Sequence, residues 1–297
     1  MKITNKMNLP EPFLWAVQDD RYDPGSSDIT GTSLIDSPRI RALRQKYGSA
    51  IEQDAADMVY AVFGSAVHDM LERAAHNHND GDYLVEERLY LEVLGWKLGC
   101  QLDLLHKSAA TLWDHKTTST WEYIYGLKPE RVNQINVYAY VAKQNGYDVQ
   151  HGKILMLFKD WSPSKGLHTD NYPARPVMAV DVPMWTDEEQ RQYIEDRVKL
   201  HQDAEKYLPE CSDEERWAAG AGYALMKKGR KSAIKVEATE PELETYAIKK
   251  GLAEVDPTTG VVTFKKDHWV HYRKPEYKRC QNYCNVADFC EQWNGDK

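Results

Sequence analysis

A chain of 297 residues with 42% apolar and 28% charged residues can bury a full core and reads as one large globular domain, with or without an appendage. A net charge of -8 argues against coating nucleic acid by electrostatics alone, although a local basic channel can coexist with an acidic exterior. Met1 to Met7 carry no apolar leader core, no stretch approaches the roughly 20 apolar residues of a membrane span, and five cysteines are an odd number for a disulfide framework. These features predict a soluble, cytoplasmic protein whose cysteines ligate metal or stay free.

Residues 17–33, polar and containing Pro24 and Gly25, read as a loop before a helix over Ser33 to Lys46. Val59, Val62, Phe63, Ala66, Val67, Met70 and Leu71 recur at three and four, which predicts a helix from Asp54 to Asn77 with that stripe against the core. Strand character over Tyr83 to Leu105 comes in two pieces, broken at Gly95 and Gly99. A polar turn and Leu112 to Thr118 complete a hairpin. A helix from Pro129 to Asn145 has proline in its first turn and Gly146 past its end. His151 to Trp161 holds an apolar run that reads as a buried strand, and Thr186 with Glu189 forms a capping box opening a helix to about Tyr207. This order predicts an α/β fold, with the hairpin in a mixed central sheet flanked by helices. The expected division is an N-terminal helical segment over 1–53, a core over 54–207 and a C-terminal extension over 208–297 packed on the core. The extension includes a hairpin around Asp256 to Gly260 and three closely spaced cysteines.

The hairpin carries the chemistry. If its turn centres on Ser108 and Ala109, Asp103 and Asp114 stand opposite each other with Cβ atoms roughly 5 Å apart. Lys116 shares a face with Asp114, while Trp113 and His115 point to the other. Two like charges so placed need a positive group between them, and a divalent cation with oxygen ligands supplies it. Upstream, Gly64, His68 and Glu72 form one row at i, i+4 spacing, bordering the core; the glycine leaves room for a close approach, and neutral imidazole suits a metal such as manganese. Gln134 and Tyr138 lie one helical turn apart, placed to bond a phosphate or base or to orient Lys116.

His68 in G-x3-H, then Asp103, then Asp114 and Lys116 in D-x-K, then Gln134-x3-Tyr138, in that order, resemble the PD-(D/E)XK nuclease superfamily, particularly its RecB-type and CRISPR-associated exonuclease branch. The resemblance spans about residues 55–160. It departs in having no proline before Asp103 and Asp114 where many members have glutamate. It implies a restriction-endonuclease-like core over 54–207. Asp103, Asp114 and the backbone carbonyl of His115 would hold magnesium or manganese, with His68 as a further ligand. Lys116 would position or help deprotonate the attacking water. Such a metal clamps the phosphate and stabilises the charge built in an in-line displacement.

Cys280, Cys284 and Cys290 form a C-x3-C-x5-C run, with Cys211 upstream and Cys100 in reserve. Four thiolates bind tetrahedral zinc or a 4Fe-4S cluster. The same resemblance implies an iron-sulfur staple for the tail, while a spacing other than C-x2-C keeps structural zinc in view. Ser212 to Glu215 forms a second capping box beside Cys211. Lys227, Lys228, Arg230 and Lys231 belong to a basic concentration that could line a DNA channel.

The sequence therefore predicts a magnesium- or manganese-dependent DNA nuclease, an exonuclease on linear ends or single strands in phage or mobile-element recombination and repair. A structure-specific endonuclease is the variant within the enzyme class. The alternative class is an inactive nuclease-fold module that binds DNA or a recombination partner; the intact Asp103, Asp114 and Lys116 argue against it. A toroidal oligomer would give processivity, but no residue pattern announces one.

Overall fold

Leu94 and Gly95 both take positive φ, 49° and 80°, which is the backbone a two-residue hairpin turn requires. They fold Tyr83–Val93 back onto Trp96–His106, paired from Val93 opposite Trp96 to Tyr83 opposite His106 except at Glu86 and Asp103. The computed structural model describes residues 1–19, 23–168 and 170–296, so Asp20 to Tyr22 of the expected N-terminal loop lie outside the described residues. The chain divides into two units, Met1–Pro209 and Glu210–Lys297.

The first unit runs β1 (Lys2–Thr4), α1 (Glu11–Gln18), β2 (Ile29–Thr30), α2 (Gly31–Ile35), α3 (Pro38–Tyr47), β3 (Glu52–Asp54), α4 (Val59–His78), β4 (Tyr83–Val93), β5 (Trp96–His106), β6 (Thr111–Thr118), α5 (Thr120–Ile124), α6 (Pro129–Gln144), β7 (His151–Phe158), α7 (Pro163–His168), β8 (Val177–Val182) and α8 (Asp187–Ala204). Its sheet has the order β2-β5-β6-β7-β8, with β4 also on β5. The β4–β5, β5–β6 and β7–β8 pairs are antiparallel, while β2–β5 and β6–β7 are parallel. The protein is thus α/β with a mixed central sheet flanked by helices, which fits a restriction-endonuclease-like core. Side chains alternate across the strands. Leu105, Leu112, Ile154 and Met156 join Ile135, Tyr138 and Val141 of α6 and Ile194 and Val198 of α8 in the main core. Leu104, Trp113, His115 and Leu155 face α4 instead.

Three expectations need correction. The single helix over Ser33 to Lys46 is two helices, because Pro38 cannot continue α2 and instead starts α3. Gly99 lies inside β5 and breaks nothing. A Cβ there would meet Ser27 Oγ at 2.3 Å, so the residue marks a close approach. The apolar stripe of α4 is not a core face: no α4 residue is fully buried, and Phe63 and Met70 are each 50% exposed.

The second unit contains β9 (Ala218–Ala219), β10 (Gly222–Lys227), β11 (Lys235–Glu237), α9 (Glu240–Lys249), β12 (Ala253–Val255), β13 (Val262–Phe264), β14 (His268–Arg273), β15 (Glu276–Tyr277), α10 (Lys278–Asn282) and α11 (Glu291–Asp296). β10 is central between β11 and β14, and Leu225 packs with Leu243, Ala247 and Ala253 in a core of this unit's own. The hairpin around Asp256 to Gly260 joins β12 to β13. Among the described residues, no helix is long and apolar enough to cross a membrane.

Gly31, capped by Thr30, tests the packing behind the hairpin. A Cβ on it would meet Tyr138 Cε1 at 2.4 Å and Cys100 Sγ at 2.8 Å. Neither neighbour can swing away, since both are buried. Gly31→Ala is expected to cost about 1–3 kcal/mol of folding stability, the usual range for overpacking, read from urea unfolding.

Candidate metal centre

The backbone ladder between β5 and β6 runs from His106 opposite Thr111 to Leu104 opposite Trp113 and goes no further. Asp103 and Asp114 are the next pair in that register, as the hairpin spacing predicts. There the strands part. The N–H of His115 donates to Asp103 Oδ2 at 2.6 Å, so a side-chain carboxylate takes over the role of a ladder carbonyl. Beyond the fork β5 pairs through Leu98 and Gly99 with β2, while β6 stays on β7 as far as Thr118.

Into this fork α4 presents His68. Its Nε2 lies 2.9 Å from the His115 carbonyl oxygen, and its Nδ1 lies 3.6 Å from both Asp103 Oδ2 and Glu86 Oε1. Glu86 was not singled out by the sequence. In the β4–β5 register it stands opposite Asp103, and its φ of 48° is a left-handed backbone that breaks the strand's alternation. Gln101 Nε2 donates to its second oxygen at 2.9 Å, and Arg88 in turn donates to Gln101. The strand YLVEERLYLEV holds several glutamates, and nothing in their spacing distinguishes this one.

Asp114 is almost fully buried. Its Oδ1 accepts from Lys116 Nζ at 2.6 Å and from Gln134 Nε2 at 3.0 Å, while its Oδ2 is enclosed with no hydrogen-bond partner. Gln134 and Tyr138 are both buried. They do not present a phosphate-binding surface: Gln134 orients Asp114, and Tyr138 packs beneath, where burial drives its pKa well up and keeps it a neutral phenol. Glu72, one turn past His68, pairs with His76 at 3.7 Å and helps line an open cavity of about 340 Å³ between α4 and the sheet. Leu71, Val85, Leu104 and Trp113 give that cavity apolar walls, and Asp103 and His115 stand at its edge.

The charges are arranged for a cation. Burial, and then the neighbouring Asp114, push the Asp103 carboxyl pKa up. The nearby carboxylate of Glu86, and then the charge of Asp103, raise His68 against the opposing effect of burial. Burial lowers His115, with the positive charge of His68 adding to it. Among the described residues, the His, Cys, Asp and Glu ligand atoms grouped within 4.8 Å of one another belong to His68, Asp103 and His115. The ring of His115 enters that group, whereas its carbonyl is the atom expected from the sequence. A partnerless buried oxygen on Asp114 and two crowded carboxylates fit a hard divalent cation.

The cysteines divide between the units. Cys100 is fully buried in the core of the first, where burial pushes its thiol pKa up, the opposite of what a thiolate ligand needs. It is removed from the ligand set. Cys211, Cys280, Cys284 and Cys290 lie in the second unit, and none is in a disulfide. The backbone of Cys211 exchanges two hydrogen bonds with the side chain of Gln292, at 2.9 and 3.0 Å, two residues past Cys290. The capping box at Ser212 and Glu215 closes reciprocally. A tetrahedral zinc with bonds of about 2.3 Å would draw its sulfurs to within about 4 Å of one another. Among the described residues these sulfurs are not grouped within 4.8 Å of one another. Lys227 ends β10, and Lys228, Arg230 and Lys231 lie on the exposed turn after it.

No protein-family model and no curated protein matches the chain. Among solved structures, the protein SSO0001 is 15% identical with a TM-score of 0.43, covering 63% of this chain and 84% of its own. An alkaline exonuclease from Laribacter hongkongensis is 13% identical with a TM-score of 0.33, covering 59% of this chain and 92% of its own. Its complex with dAMP gives the same identity and TM-score over 61% and 90%. At such identities and TM-scores, function has to be argued from this chain's own residues.

A carboxyl whose folded pKa is raised contributes stability below its unfolded value, near 4, and that contribution is lost as pH rises through the folded value. Asp103→Asn is therefore expected to raise the melting temperature of metal-free protein at pH 7 more than at pH 4, and to abolish stabilisation by Mn2+. Thermal melts with EDTA and with Mn2+ read both effects. Because the raised His68 must lose its proton to ligate, Mn2+ affinity is expected to increase with pH through and above the ordinary histidine range. Titration calorimetry in buffers of different ionisation enthalpy reads the released proton.

Proposed function

We propose that this protein is a divalent-metal-dependent DNA nuclease of the PD-(D/E)XK type, acting as an exonuclease on ends or single strands. The observation that carries this reading is the fork between β5 and β6. There Asp103 replaces a ladder carbonyl and Asp114 keeps a buried oxygen with no partner beside Lys116.

In this reading His68, Asp103, Asp114 and the His115 carbonyl hold magnesium or manganese, with Glu86 as an added outer carboxylate. When bound, the metal lowers the pKa of a water and offsets the charge that builds on the phosphate. Gln134 fixes Asp114 by donating to Oδ1, which leaves Oδ2 for the metal. Lys116, tied to the same oxygen at 2.6 Å and still partly exposed, donates to the attacking water or to a phosphate oxygen. His115 contributes through its backbone, with its N–H on Asp103 and its carbonyl facing His68. In the second unit, Cys211, Cys280, Cys284 and Cys290 would carry a 4Fe-4S cluster, for which the pinning of Cys211 to Gln292 is the supporting contact. The exposed cations from Lys227 to Lys231 would contact DNA backbone.

Purified protein and Asp114→Asn, incubated with end-labelled linear single- and double-stranded DNA and with closed circles plus Mg2+ or Mn2+, test the reading. Metal-dependent degradation of linear DNA alone, reduced by at least 100-fold in Asp114→Asn and in Lys116→Ala, is expected, since groups that stabilise developing charge contribute on the order of 10²–10³ in rate. Nicking of circles would make it an endonuclease. Binding without cleavage would make it an inactive nuclease-fold module.

A further inference from the structure

α4 carries the feature that the metal centre does not use. Tyr60 and Phe63, on its first turns, are 60% and 50% exposed and meet edge to face with centroids 6.4 Å apart. The ammonium of Lys159 sits over the Tyr60 ring, 3.7 Å from its centroid. Lys159 follows β7, and its backbone N–H donates to the carbonyl of Thr118, the last residue of β6. Ser119 then caps α5, where Trp121 and Tyr125 stack at 5.6 Å and 13°, exposed by 55% and 80%. α4 crosses β6 close by, since a Cβ on Gly64 would come within 3.7 Å of Thr117 Oγ1. Two exposed ring pairs and a cation thus lie on elements next to the end of the strand that bears Asp114 and Lys116. Phe63 is five residues before His68, about 7.5 Å along the helix axis.

Exposed rings in contact with one another, unlike apolar residues scattered singly, mark a binding surface. Duplex DNA hides its base faces and offers phosphates, for which rings have no use. A single strand offers both base faces and phosphates, and stacking rings with an adjacent cation match that combination. We propose that Tyr60, Phe63, Trp121 and Tyr125, with Lys159, form a base-stacking platform that receives single-stranded DNA next to the metal centre. The proposal rests on the nucleic-acid substrate of the preceding reading and adds its strandedness: bases, not only phosphates, are gripped.

The 297-residue chain carrying Asp114→Asn keeps the probe intact. Fluorescence anisotropy then compares a labelled oligothymidylate, an abasic strand of the same length and a blunt duplex. The oligothymidylate is expected to bind at least tenfold tighter than the abasic strand. Added Trp121→Ala or Tyr60→Ala is expected to weaken it about tenfold each, in keeping with alanine effects on stacking. Abasic and duplex binding should be unchanged, and Trp121→Phe should restore most of the loss. Equal affinity for the intact and abasic strands, or equal weakening of both by the ring variants, overturns the platform. So does concentration-dependent self-association, seen by sedimentation and lost in Trp121→Ala, which would make this face a contact between copies. The two readings fail separately. Cleavage of single strands by the wild-type chain without base-dependent binding leaves the nuclease and removes the platform. Base-dependent binding without cleavage does the reverse.

Discussion

A backbone N–H that has lost its ladder partner must find another acceptor or remain a cost. For His115 that acceptor is the carboxylate of Asp103, and much of the site's geometry follows from the exchange. Because a side chain replaces a carbonyl, β5 and β6 separate at that point, and the opening holds His68 and Glu86 beside Asp103. The same bond keeps Asp103 beside Asp114 despite their repulsion. A hydrogen bond in the backbone framework thus holds a strained electrostatic arrangement, and a cation would relieve it.

The two faces of the sheet serve this arrangement differently. Behind it α6 supplies a dry, close-packed support, in which Gln134 fixes Asp114 and Tyr138 fills the space against Gly31 and Cys100. In front, α4 rests on the sheet without burying a single residue fully, leaving a cavity and the exposed rings of Tyr60 and Phe63. The carboxylates thus have rigid support on one side and open space on the other.

Much of this was legible in the sequence, for identifiable reasons. Strand periodicity and turn length fix which residues face each other, so the opposition of Asp103 and Asp114 could be read from spacing. The capping box of Thr186 and Glu189 locates the start of α8, and Thr239 and Glu242 form the same box at the start of α9. Periodicity also predicted a helix over α4 but could not say what covers its stripe, because apolar spacing is the same for a core face and a binding face. The depth of Gln134 and Tyr138 was hidden likewise, since polar residues give no sign of burial until their partners are placed. Glu86 was least legible. Its role depends on a left-handed backbone that costs about 1–2 kcal/mol in a non-glycine residue, and no neighbouring glycine or proline announces it.

The fork has two prongs of different origin. β4, β5 and β6 are consecutive and joined by short turns, so this meander can assemble from local contacts soon after it is made. The far end of β5, however, is held by Ile29 and Thr30 pairing with Leu98 and Gly99, and β6 is held by the parallel β7. Both of those partners arrive from distant parts of the chain. Folding order therefore separates the carboxylates' proximity, which the hairpin supplies early, from the gap between their strands, which only long-range pairing can open. Charge crowding is therefore present before the sheet that must bear it is complete, and a partly folded chain would hold the acidic residues without the opening that makes them a site.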